Sequence, residues 1–461
     1  MFLNLDSKQK TSPAAIDDSG LQISYGELIE FSGSFFQAIS KRTLIFILSE
    51  NCIGALSGYV GALSSRVVPL LLSASIDKEL LDRLIKIYKP EFLWVPERMT
   101  ELFPFEAVFA KYDYALVKTG FKPFPLHEQL SLLITTSGST GSPKLVRHSY
   151  SNVEQNAKNV ARFFGLKTTD RATAILPLQY TMGLSVATSH LFAGATLLLV
   201  KANLMEKRFW NFIKEQRATS FTGVPYSFEV LYKLRFFRMD LPDLELLTQG
   251  GGKLSQQLFK EYADFAERTG RRFIATYGQT EGTARMAYLP PELATKKTGS
   301  IGKAIPNGRL WLVDENGKEI SKLVATGEMV YSGPNVTFGY ALTGEDLAKG
   351  DENQSVLYTG DIARRDEDGC FYIIGRMNRF LKLYGVRVSL DECEQLIKSN
   401  FNVECSCSGN DEKMKVLICS LNQKDAVHKF LAEKTGLYHQ AIDVHEVVEI
   451  PKNEAGKTIY T

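Results

Sequence analysis

Between residues 44 and 96 the hydrophobic pattern alternates between two periods, and this alternation restricts the fold more than any other feature of the chain. The stretch "LIFILSE" (44–50) is a short, continuously apolar run, as expected of a strand buried on both faces. "CIGALSGYVGALSS" then reads as a helix, "RVVPLLLSA" as a strand, and "KELLDRLIKIYKPEFLWV" as a helix running into another strand. Repetition of strand, helix and strand implies a largely parallel sheet with helices packed on it. The pattern resumes after residue 150. "SNVEQNAKNVARFFG" is an amphipathic helix, "RATAILPL" a strand, and "MEKRFWNFIKEQRATSFTGVP" a helix leading into a strand. From about Gly299 short strands separated by Gly and Asn turns follow one another, in "RLWLVDENGKEI", "GEMVYSG" and "GCFYIIG". They predict antiparallel structure, a small β-barrel or sheet appended to the α/β body.

After Arg376 the texture changes again. "NRFLKLYGVRVSLDECEQLIKSN" reads as a strand and a helix, and two more strands and the helix "KDAVHKFLAEKTG" complete the tail. The expected class is therefore α/β. Residues 1–377 would form a large body of sheet lobes, and 378–461 a small, mobile α+β C-terminal domain. A chain of 461 residues also exceeds what one hydrophobic core serves.

Composition excludes several functions. The net charge of +2 comes from interspersed charges, which offers no basic patch for nucleic acid or an anionic membrane. Apolar runs such as "LFAGATLLLV" (191–200) reach about half of the roughly 20 residues of a membrane span. No leader pattern opens the chain, so the expected location is the cytoplasm. The cysteines lack zinc-ligand spacing. Cys405 and Cys407 in "VECSCSG" and Cys419 in "MKVLICS" read as small apolar side chains on a hairpin turned by "GNDEK".

The stretch "LLITTSGSTGSPKLVRHSY" (132–150) is crowded with hydroxyls and poor in bulk. A loop of this composition between a strand and a helix can turn its N–H groups inward and embrace phosphates, with Lys144 adding a point charge. Taken alone, a Ser/Gly tract is more often a surface turn. The Walker pattern GxxxxGK[ST] fails, because Lys144 sits behind a proline and Leu145 follows it. GxGxxG is absent too, since "QGGGKL" (249–254) lacks its spacing.

"TSGSTGSPK" (136–144) does resemble the signature of the adenylate-forming superfamily, which includes acyl-CoA synthetases, luciferases and adenylation domains of nonribosomal peptide synthetases. Further stations follow in the superfamily's order. "QGGGKLS" (249–255) is similar to its glycine-rich segment beside adenine, and "YGQTE" (277–281) to YGxTE. "GEMVYSGPNVTFGY" (327–340) is similar to GELxIxGxxVxxGY, "YTGDIARRDEDGCFYIIGR" (358–376) to TGD…GR, and "PKNEAGKTI" (451–459) to PKTxxGKI.

The resemblance implies roles residue by residue. Thr136, Ser137, Gly138, Ser139, Thr140, Gly141 and Lys144 would hold the ATP phosphates. Gly250, Gly251 and Gly252 would cover one face of adenine, while Tyr277, followed by Gly278, stacks on it. Thr280 would contact the α-phosphate and Glu281 would hold Mg²⁺. Asp361 would bind both ribose hydroxyls, backed by Arg376, and Lys457 would be the catalytic lysine. Asn378 stands at the hinge, where relatives carry Asp or Lys, so size is kept and charge is lost. Lys382 and Gly385 would line the pantetheine tunnel. Tyr180, Gly183, Tyr226, Ser227 and Met286 are the candidate acid pocket. Gln179 and Tyr180 replace the Phe-His pair of many relatives. No Asp is present there to pair with an α-ammonium, which disfavours an amino acid.

The implied reaction joins a carboxylic acid to ATP as acyl-AMP with loss of pyrophosphate, then passes the acyl group to coenzyme A. An alternative acceptor is the pantetheine thiol of an acyl carrier protein. From another class, a lapsed homologue that only binds nucleotide would have lost Lys457, Glu281 or Asp361, and all three are present. Carboxylate and triphosphate repel each other, so such a site must shield charge and align the reactants.

Overall fold

Six strands run parallel in the order Arg272–Tyr277, Leu246–Gln249, Ser220–Gly223, Arg171–Ala174, Thr196–Leu199 and Pro13–Asp17, with short antiparallel strands at both edges. A second sheet has Leu130–Thr135, Val68–Ser73, Leu44–Ser49 and Phe92–Pro96 parallel at its centre. The computed structural model describes residues 1–135, 144–383, 386–410, 412–452 and 458–460. Both lobes carry the alternation expected from the sequence.

The helix Ile53–Ser64 explains why one stretch is apolar all round: it is buried from Ile53 to Leu63. Gly54 and Gly58 form a bare stripe on it. A Cβ on Gly58 would stand 2.3 Å from the Trp94 ring, and one on Gly54 would stand 2.4 Å from the Tyr114 ring. The Trp94 indole N–H donates to the Gly54 carbonyl at 2.8 Å, so the close approach also satisfies a buried donor.

Beyond Lys144 the chain departs from the expectation of a strand-to-helix connection. Leu145–Ser149 is a further strand, antiparallel to Leu130–Thr135 with Thr135 opposite Leu145, and the helix Tyr150–Phe164 begins only after it. All five of its residues are buried, Arg147 and His148 included, so polar side chains hid its pattern.

Arg147 is accommodated because distant chain meets every part of its fork. Nε donates to the Tyr340 carbonyl at 3.1 Å, Nη2 to the Phe338 carbonyl at 2.9 Å and to Glu352, and Nη1 to the carbonyls of Lys349 and Gly350. Arg147→Met keeps the bulk and removes the donors, leaving those carbonyls unpaired. The expected cost is about 3 kcal/mol, measured as an earlier urea transition of the large body. Lysine is expected to restore less than half, because one ammonium cannot serve a planar fork's acceptors.

Beyond residue 300 the appended element is a four-stranded antiparallel sheet in the order Arg309–Val313, Ala325–Ser332, Val356–Arg365 and Phe371–Arg376. In the tail, the single strand expected after Arg376 is a pair, Phe380–Leu383 with Val386–Ser389. The hairpin Cys405–Gly409 with Met414–Ile418 forms as expected, and Ile442–Glu446 adds a third, parallel strand. Cys393, Cys405 and Cys407 lie in a hydrophobic cluster drawn from residues 381 to 444. Among the described residues no helix is long and apolar enough to cross a membrane.

Candidate active site

Four neighbouring strands of the parallel sheet end side by side, and each delivers a segment singled out in the sequence. Arg171–Ala174 leads to residues 175–183, Ser220–Gly223 to 224–227, Leu246–Gln249 to 250–252, and Arg272–Tyr277 to 278–281. The carboxyl ends of parallel strands are where open α/β sheets bind ligands, because chain reversals there leave a crevice.

Opposite this crescent stands Asp361, from the four-stranded sheet and only 3% exposed. The Tyr277 hydroxyl donates to its Oδ2 at 2.5 Å and the Gln279 amide donates to the same oxygen at 2.9 Å. Arg376 Nε lies 3.2 Å from Oδ1. Burial raises the pKa of this carboxyl, while the Arg376 charge and the two donors favour its ionised form. Gln279 also donates to the Thr359 carbonyl at 2.9 Å, tying the 277–281 turn to the second sheet. Sequence reading pairs Asp361 with Arg376 but misses Gln279, which is the variable position of its motif.

The turn itself depends on Gly278. A Cβ there would fall 1.4 Å from the Ala284 carbonyl oxygen, so no other residue fits without moving the backbone. Asn335 braces the same turn: its amide donates to the carbonyls of Gly282 at 2.6 Å and Arg285 at 3.2 Å, and the Tyr331 hydroxyl fixes its orientation at 2.7 Å. Thr337 N–H donates to the Glu281 carbonyl at 2.9 Å.

Glu281 accepts from the Tyr340 hydroxyl at 2.7 Å, and Lys144 Nζ stands 3.4 Å over the centre of the Tyr340 ring. Burial, followed by the neighbouring Glu281 charge, pushes the Tyr340 hydroxyl pKa up, so it remains a donor. A carboxylate and an ammonium therefore flank one edge of the crescent. Thr280 Oγ1 lies 3.5 Å from Thr181 Oγ1, and its carbonyl lies 3.2 Å from His148 Nε2.

His148 and His190 are both buried, and burial pushes each pKa from near 6.5 to about 4. The folded chain holds them neutral, whereas the unfolded chain binds a proton at each below pH about 6.5. Their contribution to stability is full above that pH and lost as pH falls towards 4. The expected slope reaches up to ~1.4 kcal/mol per pH unit for each histidine. Urea midpoints at pH 7.5, 6 and 4.5 measure it. His190→Gln is expected to flatten the profile, and an unchanged profile would contradict the assignment.

The acid-pocket candidates divide. Gly183 lies at the start of the helix Thr181–Ala193, where a Cβ would meet the Pro177 and Leu176 carbonyls at 2.3 and 2.5 Å. Tyr180 is the half-buried residue preceding that helix, and Gln179 beside it accepts from the Ser49 hydroxyl at 2.9 Å. Ser227 is buried against Gly223. Tyr226 is 45% exposed, with Lys452 Nζ 4.8 Å from its ring centre, so it faces the C-terminal domain at the mouth. Met286 is not brought to the others, because it is fully buried with Ile305, Tyr331, Val336 and Leu357. The residue that fills the slot is Met182, missed in the sequence. Its Sδ lies 3.4 Å from a Cβ built on Gly251 and its Cε 2.8 Å from one on Gly250, while Pro225 meets one on Gly252 at 3.1 Å.

Thr136, Ser137, Gly138, Ser139, Thr140, Gly141, Gly385 and Lys457 lie outside the described residues. The chain at Asn378 forms a single 3-10 turn, Met377–Arg379, and Lys382 belongs to the strand Phe380–Leu383. Lys452 and Thr458, on either side of Lys457, are bridged as an antiparallel pair, with Ile459 N–H donating to the Pro451 carbonyl at 2.8 Å.

Among known proteins, a model of the family described as AMP-binding enzyme matches residues 6–341. The 2-succinylbenzoate–CoA ligase of Oceanobacillus iheyensis is 26% identical, over 96% of this chain and 94% of that protein. The indoleacetate–CoA ligase of Aromatoleum aromaticum is 29% identical over 71% of this chain and 65% of that protein. In structure, the o-succinylbenzoate CoA synthetase of Bacillus subtilis, solved with its acyl-adenylate intermediate, superimposes with a TM-score of 0.78 at 20% identity. That match covers 97% of this chain and 94% of the other. An anthranilate CoA ligase solved with anthranoyl-AMP gives 0.80 at 19% identity, covering 98% and 93%. Likeness at that identity speaks for the fold.

Proposed function

The chain belongs to the AMP-binding enzyme family, and from that premise we propose that it is an acid–CoA ligase of the AMP-forming type. It condenses a carboxylic acid with ATP to acyl-AMP and pyrophosphate, then transfers the acyl group to the thiol of CoA. The observation that carries the reading is the crescent of strand ends facing Asp361, with Tyr277, Gln279 and Arg376 gathered on one buried carboxylate. Ligases acting on CoA recur among the relatives, which favours CoA over a carrier protein as acceptor.

On this reading Tyr277 offers its ring to adenine and Asp361 accepts from the ribose, with the Tyr277 hydroxyl giving way to sugar hydroxyls. Among the described residues Glu281 has one donor, Tyr340, on one oxygen. This single carboxylate suits Mg²⁺, an ion that takes one or two protein carboxylates together with substrate phosphates and shields their charge. The loop 136–144 and Lys144 offer donors to the phosphates. Lys457 bridges the acid's carboxylate and the α-phosphate while negative charge builds there.

The second step needs the small domain to turn. Arg376 is tied to the large body through Asp361, whereas Arg379 is tied to the small domain, with Nε 2.8 Å from Asp391 and Nη2 2.6 Å from Glu394. Residues 377–378 lie between the two anchors, which supports placing the domain boundary and the pivot there. The Arg376 N–H also donates to Asp391 at 3.1 Å, a contact that rotation would break. The cytoplasmic placement belongs to the same proposal.

The test is pyrophosphate release from ATP and Mg²⁺ across short, long and aromatic acids, 2-succinylbenzoate and indoleacetate among them, with and without CoA. Turnover that needs one acid class and CoA is the expected result. Release indifferent to CoA would instead favour a carrier protein, and no release with any acid would overturn the ligase reading.

A further inference from the structure

Arg285 is 1% exposed and has no carboxylate within ion-pair distance among the described residues. Its Nη1 donates to Thr276 Oγ1 at 3.0 Å and its Nε to Ser185 Oγ at 3.3 Å. Its guanidinium carbon stands 4.9 Å from the centre of the Phe164 ring. Nη2 has no partner among the described residues. The other fully buried guanidinium is treated differently: Arg147 meets Glu352. Two hydroxyls and a ring face do not neutralise a cation. Burial pushes the Arg285 pKa down to about 9, which still leaves it charged at neutral pH. A buried charge without a counter-charge is costly, and where Arg147 is paired this one is left open.

The position is as telling as the missing partner. Thr276 Oγ1, which Arg285 holds, lies 2.6 Å from where a Cβ on Gly250 would stand, so the guanidinium is one hydrogen bond behind the slot wall at Gly250. Met182 Cε occupies the same place from the other side, 2.8 Å from that Cβ position. Met182 is unbranched and flexible, the kind of side chain that turns aside for a ligand. Ser185, one turn further along the same helix, lines a narrow cavity with Thr181, Thr188, Asn156 and Thr283. Arg285 is thus held between Ser185, which shares that largely apolar cavity with Thr181, and Thr276, behind the slot that Met182 fills.

We propose that the acid activated here carries a second anionic group, and that Arg285 receives it when Met182 swings out. The proposal rests on the ligase reading and narrows its substrate to dicarboxylic acids and close analogues. A planar fork with one free face matches a carboxylate in two-pronged fashion, and burial would make the site intolerant of acids that leave the charge unpaired.

The experiment compares matched pairs: succinate, glutarate, homophthalate and 2-succinylbenzoate, each against its monomethyl ester, with kcat/KM read from pyrophosphate release. The wild-type chain is expected to favour at least one diacid over its half-ester by about 10²-fold or more. Arg285→Met is expected to erase that ratio, chiefly through the KM of the acid, and Arg285→Lys to keep part of it. Equal use of diacids and half-esters, or a preference that survives in Arg285→Met, overturns the proposal while the ligase reading stands. Should the methionine variant fail to fold, the wild-type ratios decide alone. Silence with every acid overturns both.

Discussion

Alanine at Lys457 is expected to slow acid-dependent pyrophosphate release by about 10²- to 10³-fold, the usual loss when one preorganised charge donor is removed. The described residues on either side of this lysine lie near the crescent. Lys452 and Thr458 pair across its segment, and Lys452 reaches from there to the Tyr226 ring and to Glu404 at 2.9 Å. Tyr226 follows one of the four strand ends that form the crescent. The role assigned to Lys457 concerns charge that grows during the reaction, so the effect should fall on kcat while the KM for ATP changes little. Single-turnover formation of acyl-AMP measures it directly, with Lys457→Arg as the control that keeps charge and changes shape. A variant within tenfold of wild type would mean that another cation does the bridging, and Lys144, over the Tyr340 ring beside Glu281, would be the first to test.

Asparagine at Asp361 is expected to weaken ATP binding by about 10²-fold, with loss of stability as well. The wild-type carboxylate collects donors only: a hydroxyl, an amide and a guanidinium. An asparagine either presents an amide N–H₂ to those donors or turns its single oxygen to one side and leaves the other unpaired. It also leaves Arg376 without a counter-charge. Losing one partner of a buried charged contact costs about 2–5 kcal/mol, shared here between folding and nucleotide binding. Calorimetric titration with ATP and a urea series on the same sample separate the two. Tyr277→Phe removes one of the two donors on Oδ2 and keeps the ring, so it is expected to cost binding much less. If Asp361→Asn bound ATP as well as wild type, the ribose contact would have to be reassigned.

Much of this site was legible before any coordinates. The order of "QGGGKLS", "YGQTE" and "YTGD", and the alternation that sets two of the four crescent segments at strand ends, were all open to inspection. Glycine at 278 belongs to a recognisable motif, although the reason for it, the Ala284 carbonyl, could not be read. Met286 reads as a pocket residue by its apolar side chain, yet it faces a cluster assembled from residues 305 to 357. Met182 looks like ordinary helix filling and proves to occupy the slot.

By itself, the sequence determined the class of fold, the order of the elements and the chemical types that gather at the strand ends. Those properties are local: hydrophobic period, turn chemistry and short motifs act within about one element's length of chain. Tertiary structure alone decided which polar residues could be buried. Arg147 completes a strand because carbonyls about 200 positions away meet its fork, and Asn335 can be sealed in because the turn at 282–285 offers acceptors. Arg285 is enclosed with its charge unmatched, and nothing in "GTARMAYL" foretells that. A buried polar group is affordable only when partners arrive from elsewhere in the chain, and pairing between distant segments is a property of the folded packing.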